Sequence, residues 1–108
     1  MYFNLTIPEI YFIDLNPTVG SEINKIRPCV IISPNEMNNA LNTVIIAPLT
    51  STLKVYPMRV NCKVDGKNGQ IALDHLRSVD KRRLKTKLED LDIDTKDEIV
   101  ETLLNMFS

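Results

Sequence analysis

The residues in this sequence that could do chemistry are few. They are an arginine ahead of a proline, Arg27-Pro28; three successive hydroxyls, Thr50-Ser51-Thr52; the polar group Asp74, His75 and Arg77; and Glu22, five residues before the arginine. These types suit a phosphodiester. RNA cleavage by its own 2′-OH needs a group to take that proton, positive charge to hold the crowded phosphate, and an acid to protonate the leaving oxygen. An arginine supplies the clamp, because its planar fork bonds phosphate oxygens in pairs and stays charged at all relevant pH. A threonine hydroxyl can donate to the same phosphate or orient the attacking oxygen. A loop arginine is also commonly a solvated or paired structural residue, so these residues alone leave the site open.

Other chemistries find no support. A single histidine, with no Gly-rich phosphate loop, no H-E-x-x-H and no paired C-x-x-C, excludes the common zinc, P-loop and His-based metal sites. No metal or cofactor is therefore expected from these common motifs. Ser33 has no nucleophile-elbow context and only His75 to serve it as a base, which argues against a serine hydrolase. Cys29 and Cys62 are far apart and each lies in a strand-like run, the pattern of free, buried, unreactive thiols.

The elements that must position these groups are mostly strands. Residues 9 to 15 mix aromatic and β-branched types and stop at Asn16-Pro17, so they predict a first strand. A polar loop, residues 16 to 28, delivers Arg27 to a second strand over 29 to 33. Residues 35 to 42 read as a loop or a single helical turn. Residues 43 to 49 are continuously apolar, which predicts a strand covered on both faces, with Pro48 at an edge or a bulge and the three hydroxyls at its mouth. A strand over 58 to 64 turns at Asp65-Gly66-Lys67-Asn68-Gly69 into a returning strand from Gln70. Asp80 can cap a short turn over 81 to 84, before a last strand over 85 to 91. Thr95 as N-cap and Glu98 as its capping-box partner open a C-terminal helix whose apolar face is Ile99, Val100, Leu103, Leu104 and Phe107.

At 108 residues, 44% of them hydrophobic and 25% charged, the chain predicts one soluble domain spanning 1 to 108. No apolar run spans a membrane and the N-terminus lacks a secretory pattern, so the expected location is the cytoplasm. A net charge of −1 argues against coating nucleic acid through bulk charge. The charges are segregated, however, into a basic cluster from Lys81 to Lys87 and an acidic stretch from Glu89 to Glu101. Many short strands with one terminal helix point to a mainly β fold, a small and strongly bent sheet or barrel.

Three blocks, I-D-L-N-P-T-V-G-S-E-I-N-K-I-R-P-C-V-I-I-S, V-I-I-A-P-L-T-S and I-A-L-D-H-L-R-S-V-D-K-R-R-L, resemble in order and spacing the MazF/PemK family of toxin endoribonucleases, over about residues 9 to 107. The resemblance implies an SH3-like barrel with a C-terminal helix, of the MazF/PemK/CcdB-like kind, and a homodimer. It implies metal-independent cleavage of single-stranded RNA at short sequences, leaving a 2′,3′-cyclic phosphate and a 5′-OH, and silencing by a cognate antitoxin. The family's catalytic Arg and Thr fall on Arg27 and Thr50, and its acidic residue on Glu22, as base or as a partner that orders Arg27. His75 stands where several members have Gln, and could read a base edge or join the proton chemistry. Pro8-Glu9 replaces the Gly-Asp that opens many members. RNA contacts are expected from Pro17, Ser21, Asn24 and Lys25, from Ser51, Thr52, Lys54 and Tyr56, and from Asp74 and Arg77. The competing expectations are a non-catalytic CcdB-like poison, which would lack the Arg and Thr pair, and a plain RNA-binding barrel.

Overall fold

The structure is a computed structural model that describes residues 7–17, 19–21 and 25–108. Its elements are β1 (Glu9–Asp14), β2 (Ile26–Ile31), α1 (Asn35–Ala40), β3 (Thr43–Thr50), β4 (Arg59–Val64), β5 (Lys67–Ala72), β6 (Arg77–Asp80), β7 (Leu84–Asp90) and α2 (Ile93–Met106). Short 3₁₀ turns at Leu73–His75 and Lys81–Arg83 flank β6. The strands form one antiparallel sheet in the order β4-β5-β3-β2-β1-β7, with β6 also paired to β3. It curls into a half-barrel of the SH3-like type with one C-terminal helix.

Burial on both faces explains the continuous apolar runs. One core joins Ile10, Val30, Ala47, Leu49, Val60 and Ile71 with Ile99 of α2. The other, on the opposite face of β1 to β3, joins Ile13, Leu15, Cys29, Ile31, Val44, Ile46 and Val79. Alternate residues of β2 and β3 thus enter different cores, as the period of two requires.

Several expected boundaries move. β2 begins at Ile26 because Asp14 and Ile13 of β1 pair with Ile26 and Arg27, so Arg27 stands on a strand and not in a loop. Thr50 likewise closes β3 in register with Gln70. Pro48 is fully buried in a central strand rather than at an edge. It is tolerated where β3 changes neighbour, after the β6 ladder ends at Ile46 and before the β5 ladder starts at Leu49, so neither needs its missing N–H. The β4–β5 turn is only Asp65-Gly66, with φ of 52° and 75°, and Lys67 to Gly69 already belong to β5. That pair of positive φ values is what a two-residue hairpin of the primed type demands.

Asp80 does cap the turn that follows it, accepting from the Arg82 N–H at 2.8 Å. α2, by contrast, has its N-cap at Asp92, three residues before the expected Thr95, with no side-chain cap. Its apolar face divides. Ile99 is buried and Leu103 packs against the core, while Leu104 and Phe107 are exposed. Among the described residues no helix is long and apolar enough to cross a membrane.

Candidate active site

No ladder joins the end strands β4 and β7 among the described residues, and a cleft of about 560 Å³ opens in the gap. Its floor is Phe12 of β1, Arg27 and Pro28 of β2, and Leu49 and Thr50 of β3. The β4–β5 hairpin, through Asp65, Lys67 and Gly69, makes one wall, and Leu88 and Glu89 of β7 make the other. Glu89 reaches across the gap, its Oε1 accepting from the Asp65 N–H at 3.2 Å.

Strands β2 and β3 carry the two expected catalytic residues to one cleft. Cys29 pairs with Pro48 and Val30 with Ala47. The β2–β3 ladder ends there and β3 goes on to pair with β5, but Arg27 and Thr50 both line the cleft floor on these adjoining strands. The Arg27 side chain lies along this floor, with Nη1 donating to the Leu49 carbonyl at 3.4 Å. Thr50 is half-buried, and its Oγ1 accepts from the Thr52 N–H at 3.1 Å. Since a hydroxyl both donates and accepts, that bond leaves the Thr50 proton available to a ligand in the cleft. Gly69 on the adjoining strand allows a close approach, since a Cβ there would stand 3.3 Å from the Thr50 carbonyl. Arg27 and Lys67 bring positive charge to the cleft, and Asp65 and Glu89 negative. A guanidinium and a hydroxyl on rigid neighbouring strands can together hold a tetrahedral anion.

The other expected site residues lie in three places. Ser51 lines the cleft itself. Lys54 and Tyr56 line an adjacent hollow, where buried Gln70 ties the chain down: its Oε1 accepts from the Lys54 N–H at 2.9 Å, and its Nε2 donates to the Lys54 carbonyl and to Asn61. Thr52 is exposed between the two. Asp74 accepts a bidentate pair from Arg59, at 2.7 and 3.0 Å, and Arg59 lies 5.4 Å from the Tyr56 ring centroid. Burial alone would raise the Asp74 pKa, but the hydrogen bonds and charge of Arg59 hold it below the ordinary carboxylate value. His75 faces this group, its Nε2 3.5 Å from Asp74 Oδ2, and lines no part of the Arg27 cleft.

Arg77 is turned elsewhere, donating to the Leu15 carbonyl at 3.0 Å beneath the stem that carries exposed Pro17 and Lys25. Ser21 is exposed farther along that connection, and Glu22 and Asn24 lie outside the described residues. Both thiols are free. Cys29 is buried as expected but Cys62 only half-buried; burial pushes Cys29 up to about 12 and Cys62 up to about 11, which disfavours the thiolate that nucleophilic attack needs.

The model of the PemK-like, MazF-like toxins of type II toxin–antitoxin systems matches residues 8–107. The chain belongs to this family. It is 32% identical over 101 residues to endoribonuclease EndoA of Bacillus subtilis strain 168, an alignment covering 88% of this chain and 87% of that protein. Among solved structures, MazF from Deinococcus radiodurans superimposes with a TM-score of 0.80 at 27% identity, covering 99% of this chain and 98% of the other. A mycobacterial endoribonuclease in complex with its cognate antitoxin shares the fold at a TM-score of 0.78, with 23% identity over 96% of this chain and 94% of its own. The residues that sequence reasoning missed are the toxin's cleft walls, Asp65, Lys67, Leu88 and Glu89, together with Gln70. Only the Asp65-Gly66 turn gave a local signal, and nothing local indicated that its tip would face β7.

Proposed function

We propose that this toxin is a metal-independent endoribonuclease that cuts single-stranded RNA, such as mRNA, at short sequences in the Arg27–Thr50 cleft. The observation that supports this reading is the single cleft floor that Arg27 and Thr50 both line, with the Arg27 guanidinium bonded to the Leu49 carbonyl beside Thr50. The substrate's 2′-oxygen attacks the adjacent phosphorus as its proton passes to a base. The P–O5′ bond then breaks and the 5′-oxygen takes a proton, leaving a 2′,3′-cyclic phosphate and a 5′-OH. Arg27 clamps the non-bridging oxygens, whose charge grows in the transition state, and Thr50 donates to the same phosphate. Glu22 is the proposed base or the partner that orders Arg27. His75, apart from the cleft floor, contacts a flanking nucleotide together with Tyr56 and Asp74, while Ser51, Thr52 and Lys54 line the way between them. Pro17, Ser21, Asn24 and Lys25 serve the other flank.

The whole chain acts as one cytoplasmic domain and pairs with a second copy. Leu104 of α2 and Phe107 at its C-cap are exposed and would be covered by such a pairing. Its antitoxin silences it by occupying the RNA groove. The test is end mapping of labelled RNA incubated with purified protein and a chelator. Cleavage that leaves a cyclic phosphate and a 5′-OH is expected. No cleavage, or cleavage only on adding a divalent cation, would overturn the proposal.

A further inference from the structure

Two arginines hold the root of the β1–β2 connection from outside. The β1–β7 ladder ends at the pair Ile13–Leu84, so the chain beyond Ile13 has no strand on that side. Arg83, the residue just before Leu84, takes over with its side chain. Its Nη1 donates to the Asp14 carbonyl at 3.1 Å and also to the Asn16 carbonyl. Arg77 of β6 donates to the carbonyl between them, that of Leu15, at 3.0 Å. Three successive carbonyls are thus each met by a guanidinium N–H.

The stem is closed across its width as well. The Leu15 N–H donates to the Lys25 carbonyl at 3.1 Å, and the Lys25 N–H to Asn16 Oδ1 at 3.2 Å. Lys25 is held at φ 74°, a left-handed conformation that a residue with a Cβ adopts only when its surroundings enforce it. Arg27 follows two residues later. Among the described residues neither Arg77 nor Arg83 forms an ion pair, in contrast to Arg82, which is exposed and paired with its neighbour Asp80. Both guanidiniums are half-buried and reach more than sixty residues back along the chain, so the contacts they make are tertiary ones.

We infer that Arg77 and Arg83 are positioning residues for RNA recognition: they fix the β1–β2 stem so that Pro17 and Lys25 meet the nucleotides flanking the phosphate that Arg27 holds. The inference rests on the reading of the Arg27–Thr50 cleft as the cleavage site. A guanidinium bonded to neutral carbonyls keeps its full charge while restraining backbone, and small displacements of positioning groups weigh heavily on reactions that depend on alignment.

Arg77→Gln and Arg83→Gln, with Arg83→Lys as the conservative variant, test it. Native-state hydrogen exchange reads the stem directly. The Leu15 and Lys25 amides should exchange roughly 10-fold faster or more, while those of the β2–β3 ladder keep their parental protection. In cleavage of the mapped RNA, KM should rise and the preference for the cognate site over a single-base change should fall by about 10-fold, with kcat changing less. Arg83→Lys, which keeps a charged donor but on a shorter stem without the planar fork, should fall between parent and Arg83→Gln. Partial unfolding would instead lower apparent kcat by shrinking the active fraction, leaving KM and preference as they were. Unchanged exchange at Leu15 and Lys25 overturns the inference, and so does faster exchange with parental KM and preference. Arg27→Ala run alongside separates the two readings. Parental cleavage by that variant takes the cleft assignment down and the RNA half of this inference with it. An inert Arg27→Ala beside parental KM and preference in the Gln variants overturns this inference alone.

Discussion

Replacing Arg27 by alanine should abolish most of the activity while sparing the fold. The bond from Arg27 to the Leu49 carbonyl, at 3.4 Å, is at the long end of the useful range, so losing that bond costs about 0.5 kcal/mol. A loss of that size moves Tm by only a few degrees in a domain of about 100 residues. The activity term is much larger. A preorganised donor aimed at growing transition-state charge is worth about 3 to 4 kcal/mol, or roughly 10²- to 10³-fold in rate. Arg27→Lys keeps the charge but loses the planar fork, and should recover only part of that factor.

The assay is initial-rate cleavage of end-labelled RNA at saturating and sub-saturating substrate, with Tm measured on the same preparations. Because Arg27 and Thr50 line the same cleft floor, Thr50→Val should also slow cleavage. The double variant should lose less than the product of the two single losses, since both groups act on one phosphate. A folded Arg27→Ala protein that cleaves within about threefold of the parent would refute the reasoning, because no transition-state donor is worth so little.

Gly66→Ala should destabilise the protein by about 1 kcal/mol in urea unfolding, because a Cβ is forced into the φ of 75° on which the Asp65-Gly66 turn depends; a neutral result would contradict the turn geometry. Cys29 and Cys62 should resist alkylation in the folded protein between pH 7 and 9 and react on unfolding, which mass spectrometry would read. Their pKa values, raised to about 12 and about 11, favour the folded state fully below the unfolded thiol value of about 8.5, and that contribution is lost as pH climbs through the raised values. Asp74 has the opposite sign. Its depressed pKa stabilises the fold above about pH 4 and is lost on further acidification, so Asp74→Asn should cost about 1 kcal/mol at pH 7 and flatten the acid limb of a stability–pH curve. An unchanged acid limb would show that the Arg59 pair contributes nothing.

What the sequence made legible follows the range of the forces involved. Apolar runs and the Asp65-Gly66 turn are local signals, and the strands and hairpin appear where those signals lie. The start of β2 was not legible, because Ile26 and Arg27 are drawn into the sheet by β1 rather than by their own propensity. The start of α2 was misread for a related reason: Thr95 and Glu98 have the chemistry of a capping box, but Leu91 is anchored by its N–H to the Pro8 carbonyl at 2.9 Å, and the helix begins directly after that anchor. The candidate site divides the same way. Arg27 and Thr50 were identifiable as residue types, yet their meeting on one cleft floor depends on the pairing of β2 with β3, which neither segment encodes by itself. The cleft depends on two strands that fail to pair, β4 and β7, an outcome of sheet curvature that no single segment displays. Arg77 is the sharpest case. Its place beside Asp74 and His75 in the sequence suggests a shared task, but strand alternation and the path of β6 carry its guanidinium to the carbonyl of Leu15, on the Arg27 side of the molecule. Three polar neighbours in sequence thus support two different loops, and the loop that Arg77 supports leads into the strand bearing Arg27.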